Sequence, residues 1–472
     1  MMQSRKKYQG IRESCGLFGM FNIPNAAPRI YQGLFSLQHR GQEGAGIVVS
    51  DGTRIRSQKG FGLVGEVFSS QSFDALPGHI GIGHVRYSTT GSTRIQNVQP
   101  LVAECADGIW SIAHNGNLVN ARSIRKMYQQ SGSIFQTSSD SEVLVHLLAD
   151  PMYRNRPRRV ERALRELKGA FSFLLMTKDT LMATRDPLGF RPLSIGKLND
   201  GFIVTSESCA LTPVGATFVR DVAPGELVTI DSEGIHSSTF SEQEGHVAQC
   251  IFEHIYFAHP DSLLFGKNVH QVRLQLGRRL AEEYPVDADI VIAVPDSGNS
   301  AALGFSQKSG IPLDFGFIRN HYIGRTFIMP EDHARKHSID MKLAVLPEVV
   351  KGKRVVAVDD SIVRGNTATK RIAYLRDAGA KEVHFRISCP QIKFPCFYGI
   401  DFPTKEELPA SSKTLEEMRS MVGADTLGHI SLDGLLSPFD NPEDFCTACF
   451  SGNYPVLIEG EQGKKSLERF SY

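Results

Sequence analysis

Position 15 is a cysteine that closes a short polar stretch and opens an apolar one, in IRESCGLFGMF (residues 11–21). The stretch before it, residues 1–14, carries Arg5, Lys6, Lys7 and Arg12 and has no apolar core. That composition is neither a secretory signal nor a membrane anchor. Two readings fit such a cysteine. It is a structural thiol buried behind a flexible start, or a nucleophile that becomes the first residue once the tail is cut away.

A second constellation lies in VVAVDDSIVRGNTATK, residues 355–370. A buried strand ends in two acids, and a small, polar loop then opens a helix. Ligands of open α/β sheets bind beyond the carboxyl ends of the strands. The N–H groups of Arg364, Gly365, Asn366 and Thr367 can ring a phosphate where a helix N-terminus also favours an anion. Ser361 and Thr367 add hydroxyl donors, and Asp359 and Asp360 would face sugar hydroxyls or a magnesium ion. Two adjacent acids alone would be a solvated turn; the apolar run before them and the Ser/Gly/Thr-rich helix start after them point to phosphate.

Upstream, IAVPDSGNSAA (residues 292–302) repeats the strand-to-loop pattern, with Pro295, Asp296, Ser297 and Gly298 forming a second loop suited to a pyrophosphate and Ser297 a metal contact. The connection between the loops, residues 318–343, is rich in cations and contains Gly324 and Pro330. Between two phosphate loops it reads as a closing lid, with Arg325 and Lys342 on the diphosphate.

The chain has eight cysteines. In a chain this long they do not form a secreted disulfide scaffold, and clustered ones point to metal or catalysis. Cys446 and Cys449 form C-x2-C; with Cys250 and Cys396 they make four thiolates able to hold zinc or an iron–sulfur cluster. Cys105 and Cys209 read as small buried residues, and Cys389 lies outside the set of four.

The elements that must position these groups divide the chain in two. To about residue 240, short alternating or β-branched runs separated by Gly, Pro, Asn and Asp read as strands and hairpins, among them GIVVSDG, GIWSIAHNGNLV and FSFLLMTKD. Helical patterns interrupt them at IYQGLFSLQHR, SEVLVHLLAD and RVERALRELKGA. Beyond a polar junction at residues 238–249, helices alternate with continuous apolar strands, which implies a parallel sheet covered on both faces. Lys plus Arg number 52 against 51 Asp plus Glu, so no general electrostatic attraction to nucleic acid or anionic membrane arises. No apolar run approaches the roughly 20 residues that span a bilayer. These features predict a cytoplasmic protein.

The ordered motifs carry a resemblance. The loop at Asp359 to Thr367 looks like the signature of type I phosphoribosyltransferases, which bind phosphoribosyl pyrophosphate (PRPP). After Cys15, the segments LQHRGQEGAGI, GHVRYSTTGS, AHNGNLVN, TSSDSE and RDPLGFRPL resemble class II glutamine amidotransferases, which use an N-terminal nucleophile. Together they resemble the amidophosphoribosyltransferase family along nearly the whole chain. QCIFEHIYFAHPDS, FPCFYGID and FCTACFSGNYP resemble its iron–sulfur, propeptide-containing subgroup.

The resemblance implies an α+β N-terminal-nucleophile glutaminase domain over residues 15–245 and an α/β type I phosphoribosyltransferase domain over residues 246–472. It implies that residues 1–14 are a propeptide cut before Cys15, whose own α-amine would then relay the proton; an α-amine titrates near neutrality, whereas a peptide nitrogen does not. Arg86 would hold the glutamine carboxylate and Asp140 its ammonium. Asn115 and Gly116 would form the oxyanion hole. Mg2+ would sit at Ser297, Asp359 and Asp360, and a structural [4Fe–4S] cluster on Cys250, Cys396, Cys446 and Cys449. Glutamine and PRPP would be substrates and purine nucleotides feedback inhibitors of a homo-oligomer, dimer or tetramer. Two residues depart from the pattern: Asp340 and His259 stand where arginine is expected. A glucosamine-6-phosphate synthase type shares only the glutaminase half, and the PRPP loop argues against it. A nucleotide-sensing protein without catalysis is disfavoured by Cys15 and the intact oxyanion motif.

Overall fold

The computed structural model describes residues 15–87, 94–241, 246–320, 343–402 and 404–458. The tail before Cys15 and the lid residues Arg325, Asp340 and Lys342 lie outside the described residues.

The first half is two antiparallel sheets packed face to face. Gly16–Phe21 is central in a seven-stranded sheet, between Gly201–Thr205 and Ile80–Arg86; Gly44–Ser50 lies beyond the latter. The six-stranded sheet carries Gly108–Leu118 beside Gly169–Met176. Leu17, Val48 and Ile82 from one sheet meet Ala113, Leu174 and Val228 from the other in a dry interlayer. Helices cover the outer faces. Ala26–Ser36 buries Ala26, Ala27, Ile30, Gly33 and Leu34, one stripe at helical spacing, against the seven-stranded sheet. Glu142–Ala149 and Arg159–Arg165 cover the six-stranded sheet through Val143, Leu147, Val160 and Leu164.

The second half is a parallel sheet of five strands in the spatial order Leu313–Asp314, Ile290–Ala293, Arg354–Asp359, Glu382–Ile387 and Thr426–His429. Chain order reverses between Ile290–Ala293 and Arg354–Asp359. That reversal is the switch point where such sheets leave a crevice for ligand. Both strands are buried almost throughout, which explains why each reads as an unbroken apolar run. Helices Val269–Glu283, Asn299–Ser309 and Asn366–Asp377 pack on this sheet in a single core. The alternation read from sequence matches these elements. What it lacked is a small antiparallel pair, Phe317–Arg319 with Leu343–Val345, at the two ends of the lid segment.

Candidate active site

The register of the central strands assembles the first site. Gly16 pairs with Val85, which sets Cys15 beside Arg86 at one end of the seven-stranded sheet. Cys15 is buried, and its Sγ donates to the carbonyl oxygen of Tyr87 at 3.4 Å. Burial pushes the thiol up; the Tyr87 contact and the Arg86 charge pull against this, while Asp140 and Glu43 add to it. The thiol therefore rests neutral and needs a proton acceptor to become a nucleophile.

Asn115 and Gly116 come from the other sheet, in Gly108–Leu118. His84 Nε2 bonds the His114 carbonyl at 3.1 Å, tying the two sheets together at this end. The Asn115 side chain is fully buried, yet its Nδ2 and Oδ1 have no hydrogen-bond partner among the described residues. A buried amide without a partner costs about 1–3 kcal/mol, and a ligand that supplies the partner recovers it. Gly116 has φ +147°, and a Cβ there would meet the Ala170 carbonyl oxygen at 2.0 Å, so no side chain fits.

Asp140 precedes helix Glu142–Ala149 and is buried. It accepts from the Leu118 N–H and the Ser141 N–H, both at 3.0 Å, and its Oδ2 stands 3.7 Å from His114 Nδ1. Burial alone would raise its pKa; His114 and the two N–H donors outweigh it and hold the carboxyl below its ordinary range. An ionised acid and a buried guanidinium thus flank the thiol, the charge pair that an amino acid's ammonium and carboxylate require.

The second site lies at the switch point. Ser297 Oγ donates to Asp360 Oδ1 at 2.6 Å, which brings the two phosphate-type loops together. Ser361 Oγ donates to the other oxygen of Asp360. The Pro295–Asp296 peptide is cis, and Asp296 pairs with Arg319. Asp359 pairs with Arg371, a residue with no sequence signal of its own; burial, opposed by Arg371 and reinforced by Asp360, pushes Asp359 above the ordinary carboxylate range. Gly365 adopts φ +83° and starts helix Asn366–Asp377, with Met421 Cε only 2.6 Å from where a Cβ would stand. Arg364 is turned to Glu407 at 3.2 Å. The oxygens of Ser297, Asp359 and Asp360 form the hard donor set that suits Mg2+.

Cys250, Cys396, Cys446 and Cys449 line one small cavity of about 20 Å3 with Phe190, Phe252 and Tyr398. Cys250 and Cys446 are backbone partners in a short parallel bridge. Burial raises all four thiols, and the N–H of Tyr398 donates to Cys396 Sγ at 3.3 Å, as a thiolate ligand would accept. Four thiolates on one zinc would stand about 3.8 Å apart at Zn–S of 2.3 Å. Among the described residues one group of three has its ligand atoms within 4.8 Å of one another, and it includes none of these four. Zinc and an iron–sulfur cluster both accept four thiolates, so the donor set fits either. Cys389, buried with Sγ on the Pro390 carbonyl, does not line the cavity. Cys209 is buried as expected, whereas Cys105 is only half-buried on the rim strand Leu101–Cys105.

Segment 397–401, directly after Cys396, presses on the first site. Asn117 Nδ2 donates to the Phe397 carbonyl at 2.9 Å, Arg191 donates to the Tyr398 carbonyl at 2.8 Å, and a Cβ on Gly399 would touch Gly116 at 3.1 Å. The sequence reading missed Arg40, Arg191, Glu207 and Glu253, which form the buried junction between the halves. Arg40, Arg191 and Glu253 lie in singled-out motifs, and Glu207 does not.

Comparison with known proteins bears on this geometry. A family model described as a glutamine amidotransferase domain matches residues 84–213. The amidophosphoribosyltransferase of Bacillus subtilis is 48% identical over 95% of this chain and 96% of its own length. That of Methanocaldococcus jannaschii is 47% identical over 95% and 99%. Among solved structures, glutamine PRPP amidotransferase from B. subtilis, in complex with ADP and GMP, superposes with a TM-score of 0.89 at 47% identity, over 95% of this chain and 99% of that one. Near-half identity along almost the entire length is decisive: the chain belongs to the amidophosphoribosyltransferase family.

Proposed function

We propose that this chain divides the family's reaction between two sites, a glutaminase centred on Cys15 and a PRPP site at the Asp359–Thr367 loop. Glutamine, PRPP and water give 5-phosphoribosylamine, glutamate and pyrophosphate, the first committed step of purine nucleotide synthesis. On this reading residues 15–245 form the first domain and residues 246–472 the second, after removal of residues 1–14.

Arg86 holds the glutamine carboxylate and Asp140 its ammonium. Cys15 Sγ attacks the carboxamide carbon while its proton passes through the residue's own α-amine to the departing nitrogen. Asn115 Nδ2 and the Gly116 N–H receive the developing oxyanion. Ammonia leaves, and water then cleaves the thioester to glutamate. In the second half, Asp359, Asp360 and the loop through Ser361, Arg364, Gly365, Asn366 and Thr367 hold PRPP, with Arg325 and Lys342 closing over the diphosphate. Mg2+ at Ser297, Asp359 and Asp360 supplies charge neutralisation for the diphosphate when bound. Ammonia reaches the anomeric carbon internally, along the side where segment 397–401 abuts Gly116.

The four-cysteine cavity holds a [4Fe–4S] cluster as a structural staple, since the reaction transfers no electrons. Purine nucleotides regulate the enzyme, supported by the ADP and GMP bound to the B. subtilis relative. The enzyme works as a homo-oligomer, dimer or tetramer, in the cytoplasm; all eight cysteines stand unpaired, which suits a reducing compartment. Among the described residues no helix is long and apolar enough to cross a membrane.

The observation that carries this reading is the buried, unpartnered Asn115 amide on the sheet that faces Cys15 and Arg86. Pyrophosphate release driven by glutamine or by added ammonia tests it. Cys15→Ala should abolish the first and keep the second; loss of neither would refute it.

A further inference from the structure

Outside both sites, a turn from each half meets at an exposed edge of their junction. Cys209 lies in the turn Ser208–Ala210 of the first half; His259 and Asp261 come from the second. One ligand atom from each of the three lies within 4.8 Å of the others. Four hydrogen bonds clamp the two turns. Glu207 Oε2 accepts from the His259 N–H at 2.8 Å and from Ser262 Oγ at 2.7 Å, while Ser208 Oγ accepts from the Leu263 N–H at 2.7 Å and donates to the Leu263 carbonyl at 3.3 Å. Cys209 Sγ donates to the same Glu207 Oε2 at 3.7 Å. The three donors are therefore held together before any ligand arrives, which lowers the ordering cost of binding.

Their chemistry is specific. A soft thiolate, a borderline imidazole and a hard carboxylate form a mixed set that zinc accepts and that, through its sulfur, Mg2+ and Ca2+ do not favour. One Asp261 oxygen hydrogen-bonds His259 Nδ1, so the two exposed side chains are already held side by side. The Cys209 sulfur is buried, whereas His259 and Asp261 are more than half exposed, so the ion would bind at a mouth with solvent completing its shell. We propose that Cys209, His259 and Asp261 form a zinc-class divalent-metal site bridging the two halves of the chain. Binding releases the Cys209 proton to solvent, which breaks the Cys209 S–H hydrogen bond to Glu207 Oε2, and breaks no covalent bond other than that S–H.

The inference rests on the fold and not on the proposed catalytic roles, so each can fail alone. The test uses the full-length enzyme, purified without oxygen and equilibrated with micromolar Zn2+, then freed of unbound metal and assayed for zinc per chain. The wild type should retain one zinc equivalent that His259→Gln loses, with the four-cysteine absorbance unchanged in both. Asp261→Asn removes a charged ligand oxygen and should weaken zinc binding by at least about 10-fold. Because Cys209 is buried, Cys209→Ser is read together with the two exposed variants, and anomalous diffraction at the zinc edge locates the ion. Equal zinc in wild type and His259→Gln, or none in either, would overturn the proposal.

Discussion

Arg40 donates its Nε to the carbonyl oxygen of Cys15 at 3.1 Å, so the backbone of the nucleophile is fixed by a wholly buried guanidinium. The other nitrogens of Arg40 pair with Glu207 and with both oxygens of Glu253, at 2.8 and 3.0 Å from the latter. Glu253 Oε1 also accepts from Arg191 at 2.9 Å, and Arg191 in turn holds the Tyr398 carbonyl. A chain of buried charges thus runs from the thiol's own residue to the loop that follows Cys396.

Glu253→Gln leaves two buried arginines short of one shared anion. Removing one partner of a buried pair costs about 3–5 kcal/mol. Glutamine-driven turnover should fall at least tenfold while ammonia-driven turnover in the folded fraction falls much less. Steady-state kinetics with both nitrogen sources, beside a melting curve, check this; equal losses in the two modes would separate Arg40 from the glutaminase.

Asn115→Ala removes a preorganised donor without disturbing the PRPP loop. Glutaminase kcat should drop about 100- to 1,000-fold, with the KM for glutamine nearly unchanged because Arg86 and Asp140 remain. A rise in KM at constant kcat would make Asn115 a substrate-binding residue instead.

Asp360→Asn acts on the other half. It takes away the carboxylate that both Ser297 and Ser361 hold, and pyrophosphate release should fall with either nitrogen source. Isothermal titration with PRPP and Mg2+ should show binding weakened by at least tenfold. Unchanged affinity would remove Asp360 from the diphosphate site.

Metal analysis distinguishes the two fillings of the four-cysteine cavity. Anaerobic enzyme should contain four irons per chain and show cluster absorbance, and Cys449→Ser should lose both along with stability. Stoichiometric zinc in that cavity without iron would contradict the cluster.

His254 gives a pH signature. It is buried among Phe265, Phe439 and Phe445, and burial, aided by the Arg273 charge, pushes it down to about 3. Its folded pKa lies below the ordinary 6.5, so the unfolded chain takes up the proton first as pH falls. Stability is complete above about pH 6.5 and declines below it, by about 2 kcal/mol on reaching pH 5. His254→Phe should flatten that part of the melting-temperature profile by this amount; an unaltered slope would mean the imidazole is already charged in the fold.

Much of this was legible in sequence where a local rule operates. The strand-acid-acid-loop pattern at Asp359 and Asp360 places a crevice because parallel strands deliver their carboxyl ends to one edge, and the structure puts Ser297 against Asp360 there. Cys15 could be singled out from the tail before it. Arg371, Glu207 and Glu253 could not: each is an ordinary charged residue whose role arises from a partner 12, 167 or 213 positions away. The spacing of the four cysteines likewise leaves zinc and iron open, because both accept four thiolates.

The central claim is that one residue supplies both the sulfur and the amine of the glutaminase. Intact-mass and peptide mapping of fully active enzyme, alkylated by an electrophilic glutamine analogue, test it most directly. The account predicts a chain beginning at Cys15, carrying one label on that residue's Sγ, with label incorporation matching loss of glutamine-driven turnover. Full activity from chains that still begin at Met1, or a label on another residue, would contradict it.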